Sequence, residues 1–452
     1  MIRHLIDAPR WLLLATLVFA PWAYGGVLPW TKDVLNIAMG SIVVLWLVGC
    51  VIRRMKPVVP NVVWATVAFL LLQGWWMVIN AQCYYDPISH KLVPIPSLLS
   101  FAPGGIDRAH SLPMLYRFSG LLGIVCFASD LAQRAEWRRR IAWTICISGS
   151  ALILFGLVER TLGVHWFVWE NGLVRPNSFA SYLYHGNAGA FINLVLPLIA
   201  GLTLLAIGAS DGSVQRAIWI PSLLIAVAGA FATASKAATL ITLVLLIALL
   251  SWRARIVAAL WRGLATPLLR ALAVAVCALA VVAFVWFGSQ RMMYRWTEEN
   301  WVSYSLQSRL LTYHACWSMH TDSGLWGFGP ATFRVAFPFY TKALGIRLAE
   351  YWRYAHEDYL QTVIEWGWIG AGVWAVLFFG GIAAGVFSYR RRGSLLARFD
   401  RMFLFTIVLA LIGVALHATI DFPLQIPSLQ LYAAVYLGIA WGSSSWRKAR
   451  ES

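Results

Sequence analysis

The sequence predicts an all-α polytopic membrane protein, and three observations carry the prediction. Of 452 residues, 60% are hydrophobic and only 12% are charged, against roughly 25% charged in a soluble domain. Twelve apolar segments of about span length recur along the chain. The connections between them alternate between basic and poorly charged. This composition excludes a soluble enzyme, a disordered chain and a nucleic-acid-binding module, even with a formal net charge of +17. The 25 Trp, 16 Tyr and 23 Phe suit interfacial belts and contact with membrane lipids.

The expected spans are 11–29, 34–52, 61–80, 117–133, 141–159, 188–207, 216–233, 237–252, 270–288, 360–389, 402–421 and 428–445. The N-terminus is basic, then apolar, and lacks a small-residue cleavage site, so it reads as the first span. One set of connections holds RRMK (53–56), RAEWRRR (134–140), the 253–270 stretch and RRRGSLLARFDR (390–401). With both termini and Arg216 these carry 22 of the 36 Lys and Arg. The positive-inside rule puts them in the cytoplasm, with both chain ends. The long connections 81–116, 160–187 and 289–359 then lie outside. The organisation expected is spans one to nine over 1–288, an outer loop with short helices over 289–359, and spans ten to twelve with a tail over 360–452.

The inner face has no room for a folded domain. It shows no P-loop and no D-x-D that could hold a metal and a nucleotide sugar. An active site would therefore face outward, where the energy arrives inside an already activated substrate, and no cofactor is expected. The His residues form no HxxxH or HExxH, so no metal site is expected either. The six Cys contain no CxxC; Cys83 and Cys316 could face one compartment.

A loop longer than about 15 residues usually has structure or function. In 296–320, Leu306, Leu310, Tyr313 and Trp317 recur at helical spacing, with Arg309 beside that stripe, and predict an amphipathic helix on the membrane or the bundle. Gly324, Gly327 and Gly329 predict a turn, and Pro330 a second helix start. In RYAHEDYLQTVIEWGWIG (353–370), Glu357 and Asp358 suit the first turn of the tenth span through its dipole. His356 then sits at the membrane face. Arg175 precedes the sixth span, and Lys236 lies in a tight turn between spans seven and eight.

Arg175, Lys236, Arg309 and His356 thus share the expected outer boundary. Basic groups there suit a diphosphate: Arg offers planar paired donors, Lys a point charge. Histidine can take a proton from a hydroxyl nucleophile. Blander roles stand beside these. His356 could cap the tenth span, Arg309 could be the solvated side of its helix, Lys236 could mark topology, and Arg175 could be structural. Glu365 reads as a partner of a cation. His417 and Asp421, one turn apart, read as a polar pair within the bundle or, in a transporter, a proton relay.

Four patterns then resemble one family. They are RPNSFASYLYHGNAGAFINLVLPL, TASKAA, SRLLTYHACWSMHTDSGLWGFGPATFRVAFPFY and AHEDYLQTVIEWGWIG. In this order and membrane placement, they resemble the O-antigen ligase and O-antigen polymerase superfamily of bacterial membrane glycosyltransferases. The resemblance covers roughly 170–375; the N-terminal spans match in hydropathy alone. It implies an inverting, metal-independent transfer of a glycan from undecaprenyl diphosphate. The acceptor it implies is a lipid A–core sugar in a ligase, or another lipid-linked repeat unit in a polymerase. Carried over, Arg309 and Lys236 bind diphosphate, with Arg175 as a third cation. His356 activates the acceptor hydroxyl, with Glu357 and Asp358 supporting it. Two positions depart from the pattern. Ser-Lys-Ala (235–237) stands where Ser-Arg-Gly is usual, and Glu357 where Asn is frequent. A carboxylate there could orient His356 and raise its basicity.

A protein O-oligosaccharyltransferase shares this donor, but no soluble acceptor-binding domain is visible. A secondary transporter is compatible with twelve spans. It is disfavoured by scarce acidic residues inside them and by the absence of paired broken helices from a repeat.

Overall fold

A computed structural model describes residues 2–164, 166, 178–209, 212–252, 299–346 and 352–446. The structure is 77% helical, with thirteen α-helices and one β-hairpin among the described residues. In chain order the helices are α1 (Ile2–Trp22), α2 (Pro29–Arg53), α3 (Asn61–Ile79), α4 (Arg108–Leu131), α5 (Ala135–Leu162), α6 (His185–Ile207) and α7 (Ser213–Ala232). They continue with α8 (Lys236–Trp252), α9 (Glu299–Ser323), α10 (Phe333–Ala343), α11 (Asp358–Arg392), α12 (Arg398–Ala418) and α13 (Pro427–Gly442). Strands β1 (Cys83–Asp86) and β2 (Lys91–Pro94) pair antiparallel between α3 and α4. Eight of the described helices are long and apolar enough to cross a membrane. The protein is an all-α, multi-pass membrane protein. The expected ninth span, 270–288, lies outside the described residues. The first span ends earlier than expected, because Gly25 and Gly26 turn the chain at positive φ and Pro29 then opens α2.

The helices group into two compact units. The first holds residues 1–141, 306–397 and 418–452. Its centre is α13, buried along nearly its whole length. Gly438 and Gly442, four residues apart, let α13 approach α4 closely. A Cβ at Gly442 would lie 2.7 Å from the Ser129 carbonyl oxygen, and one at Gly438 would collide with that of Val125. This is the small-residue seam expected where lipid gives helices no hydrophobic drive to associate. Tyr432 donates to the Leu17 carbonyl at 2.9 Å and ties α13 to α1. Asp107 caps α4, accepting the Ala109 and His110 amides, and also accepts the Tyr85 amide of β1, so one carboxylate fixes helix start and hairpin together.

The second unit holds residues 142–305 and 398–417. Asn193 joins α6 to α8, donating to the Ala238 carbonyl at 3.0 Å and accepting from Thr242 at 2.6 Å. Thr203 donates to the Trp219 carbonyl at 2.9 Å, joining α6 to α7. Trp252 stacks on Phe405, joining α8 to α12.

Candidate active site

The segment before α11 is built by burial and by one broken helix. On α9 the residues facing the core are Thr312, Ala315, Cys316, Met319 and Ser323, at helical spacing. Leu310 and Trp317, from the stripe expected to define the helix, point outward at 57% and 66% exposure. The buried stripe was hard to read because it mixes Thr, Ala, Cys and Ser, while the bulky residues lie on the other face. Cys316 packs with Met319, Phe333, Phe337, Ala355 and Ile364. Cys83 and Cys316 are both free thiols.

Helix α11 is interrupted at Gly367, where φ is +66° and ψ −179°. That conformation belongs essentially to glycine. The turn 324–329 fills the break. The Phe328 and Gly329 amides donate to the Ile364 and Glu365 carbonyls, both at 2.9 Å. In return, the Trp368 and Ile369 amides donate to the Gly324 and Leu325 carbonyls. Gln73 of α3 closes the account by donating to the Trp366 carbonyl at 2.8 Å. Irregular backbone in a span is tolerated when its polar groups are met in this way. Glu365, expected to pair with a cation, uses its oxygens mainly as a helix cap. It accepts the Ala331 amide at 2.9 Å, the Phe333 amide at 3.3 Å and the Gln361 side chain at 3.0 Å.

His356 sits just ahead of α11 in the left-handed region, at φ +56°. For a histidine this costs about 1–2 kcal/mol, so the surroundings must hold it. The Tyr313 hydroxyl donates to the His356 carbonyl at 3.1 Å. The His356 Nδ1 lies 3.1 Å from the Asp421 Oδ1. Trp352 and Phe422 each make a T-shaped contact with the imidazole, with centroids 4.6 Å away. The carboxylate at 3.1 Å from the imidazole is that of Asp421, and Glu357 sits at the helix start. It is the N-cap of α11, accepting the Tyr359 and Leu360 amides, and burial pushes its carboxyl above the usual range. Asp358 is buried and accepts from the Leu424 amide at 2.8 Å and the Gln425 side chain at 3.0 Å. It thereby ties the helix start to the turn that follows Asp421.

Arg309 lies one turn before Tyr313 on α9. Its Nη1 donates to the Ile420 carbonyl at 3.0 Å, next to Asp421 in the chain. Burial raises the Tyr313 phenol above its ordinary value, and the Arg309 charge opposes that rise. The structure therefore brings Arg309, Tyr313, His356 and Asp421 together, with Glu357 and Asp358 flanking them. Tyr313 appeared in the sequence only as a stripe residue, and Asp421 only beside His417. The signal for Asp421 was a carboxylate in DFPLQIP (421–427) at the end of a span. An apolar cavity of about 400 Å³ lies in the same unit, walled by Phe118, Tyr359, Trp366, Trp374, Leu424 and Gln425. The last two of these also hold Asp358.

Lys236 belongs to the second unit, where it opens α8 and is half-buried. The turn before it has Ala234 at φ +55°, and the Ser235 hydroxyl accepts the Ala238 amide at 3.3 Å. The start of α6 packs on this turn: a Cβ at Gly189 would lie 3.5 Å from the Thr233 hydroxyl oxygen and would collide with Ala238. The first two sequence patterns therefore meet in this unit, as the last two meet in the other. Arg175 lies outside the described residues.

A His–carboxylate pair beside an arginine, in a multi-pass helical protein, is equipment for moving a proton next to an anionic group. Residues 221–375 match the family model for O-antigen ligase. That match supports the chain's place in the O-antigen ligase superfamily. The matched segment contains Lys236, Arg309, His356, Glu357 and Asp358; Asp421 lies beyond it. No curated protein matches the chain.

Proposed function

We propose that this protein is an O-antigen ligase-type glycosyltransferase. It moves a glycan from undecaprenyl diphosphate to a sugar hydroxyl of lipid A–core at the periplasmic face of the inner membrane. The observation that carries the reading is the meeting of Arg309 with the His356–Asp421 pair, both Arg309 and His356 lying within the segment that matches the O-antigen ligase model. With the Nδ1 proton directed at Asp421, Nε2 is the basic nitrogen. It takes the proton of the acceptor hydroxyl as that oxygen attacks the anomeric carbon. The new C–O bond forms on the face opposite the leaving group, and the bond to diphosphate breaks with inversion. Undecaprenyl diphosphate departs with the electron pair, and Arg309 meets its charge, a contact that grows in the transition state. Lys236 and Arg175 are assigned to the diphosphate by the family resemblance alone. The apolar cavity beside Asp358 suits part of the prenyl chain.

Purified protein, undecaprenyl-diphosphate glycan and lipid A–core, with EDTA present, test the reading. Wild type should move glycan onto lipid A–core, and His356→Ala should not. Longer lipid-linked chains in place of that product would reassign the protein to the polymerases of the superfamily. Loss of product with EDTA would end the metal-independent assignment.

A further inference from the structure

Four further cations converge in the unit that holds His356. Lys32 stands near the start of α2, Arg117 on α4, Arg334 on α10 and Arg353 just before α11. Lys32 lies within electrostatic range of the other three, with Asp33 as its acidic neighbour. Arg117 lies within range of Arg334 and of the Tyr354 phenol. Arg334 also faces Glu365, a carboxylate already engaged by two amides and Gln361. Arg117 is 8% exposed, and its Nε has no hydrogen-bond partner among the described residues. Four positive side chains from four segments repel one another, and a buried guanidinium nitrogen without an acceptor adds to the cost. Such an arrangement is stabilised by an anion of more than one charge.

Its position bears on which anion. Tyr354 stacks on Phe422 with centroids 4.7 Å apart, and Phe422 makes a T-shaped contact with His356. The cluster thus reaches the imidazole through Tyr354 and Phe422, whereas Arg309 reaches it through Ile420 and Asp421. A base between two lipid-linked substrates needs the leaving diphosphate on one approach and the acceptor on the other. With Arg309 assigned to the leaving group, the cluster falls to the acceptor.

We propose that Lys32, Arg117, Arg334 and Arg353 form a binding site for a phosphoryl group carried by the acceptor glycolipid. The site rests on the reading of His356 as the transfer centre. It makes the enzyme selective for acceptors phosphorylated near the receiving sugar.

The test is direct binding of lipid A–core to detergent-purified protein without donor, comparing native lipid with chemically dephosphorylated lipid. Wild type should bind the phosphorylated lipid at least about tenfold more tightly. Arg117→Gln and the exposed Arg353→Gln should each erase most of that preference and leave undecaprenyl diphosphate affinity unchanged. Arg353 lies on the surface, so its variant reports even if Arg117→Gln folds poorly. Equal binding of both lipids by wild type, or unchanged preference in the variants, would overturn the site. So would a loss confined to undecaprenyl diphosphate. Phosphate-dependent binding without any glycan transfer would leave this site standing and remove the transferase reading instead.

Discussion

Gly367→Ala is the sharpest structural test. The residue sits at φ +66° and ψ −179°, where a side chain costs about 1–3 kcal/mol in backbone strain. Its new Cβ would also lie 2.5 Å from the Gly327 amide nitrogen and collide with the Leu325 carbonyl. The turn must then withdraw, and four hydrogen bonds bridge it to α11. At a net 0.5–1.5 kcal/mol each, their loss adds roughly 2–6 kcal/mol. The sum, roughly 3–9 kcal/mol, is a large part of an ordinary domain's stability. Because the turn lies in the segment that buries Cys316, thiol labelling in detergent reads the effect. With the other cysteines replaced, Cys316 should label slowly in the parent, since it is fully buried and burial raises its thiol pKa. It should label many-fold faster in Gly367→Ala. Unchanged melting temperature together with a protected Cys316 would refute the account of the broken helix.

Three further outcomes follow from the geometry. Asp421→Asn removes one charge-assisted bond to His356, about 1.5–3 kcal/mol, so kcat should fall roughly 10- to 200-fold with donor KM little changed in steady-state assays. Arg309→Lys keeps the charge but loses the planar fork that holds Ile420; it should retain more activity than Arg309→Ala, measured as kcat/KM for the lipid donor. For Asp107, burial works against ionisation, but bonds from His110 and from the Tyr85 and Ala109 amides outweigh it, and its pKa lies below the usual value. Its stabilising effect is therefore present above the unfolded-state value and is lost as pH falls through the lowered one. Limited proteolysis of 82–106 should accelerate across that acid window in wild type, and Asp107→Asn should be susceptible already at neutral pH.

The long apolar helices were legible because lipid imposes length and composition on a span. The turn at Gly324, Gly327 and Gly329 was legible for a similar reason, since few residues tolerate positive φ. What the turn plugs was not legible: Gly367 inside EWGWIG reads as an ordinary small residue of a span. The Asp421 carboxylate beside His356 was not legible for a related reason. Sequence nearness favoured Glu357, one residue away, but the backbone at φ +56° turns the imidazole toward Asp421, 65 positions downstream. Local spacing could place Glu357 at a helix start, and it caps there, yet long-range pairing follows from how helices pack. Lys32 and Arg117 escaped attention because each stands alone in its segment and joins Arg334 and Arg353 only in three dimensions.

The capping geometry also separates two accounts of His356. If His356 merely closed the start of α11, its side chain would bond the first free amides of that helix. Glu357 holds those amides, from Tyr359 and Leu360, and the imidazole turns to Asp421. Glu357 has its own claim as a base, because burial raises its carboxyl. Paired substitutions decide between them. His356→Asn suits the left-handed backbone and should melt within about 1 kcal/mol of wild type while glycan transfer is lost. Glu357→Ala should cost about 1 kcal/mol as a lost cap, yet keep measurable transfer with an unaltered pH profile. The opposite pattern, with transfer surviving in His356→Asn and vanishing in a stable Glu357→Ala, would move the proton to Glu357. The left-handed strain at His356 would then have to be explained by packing alone.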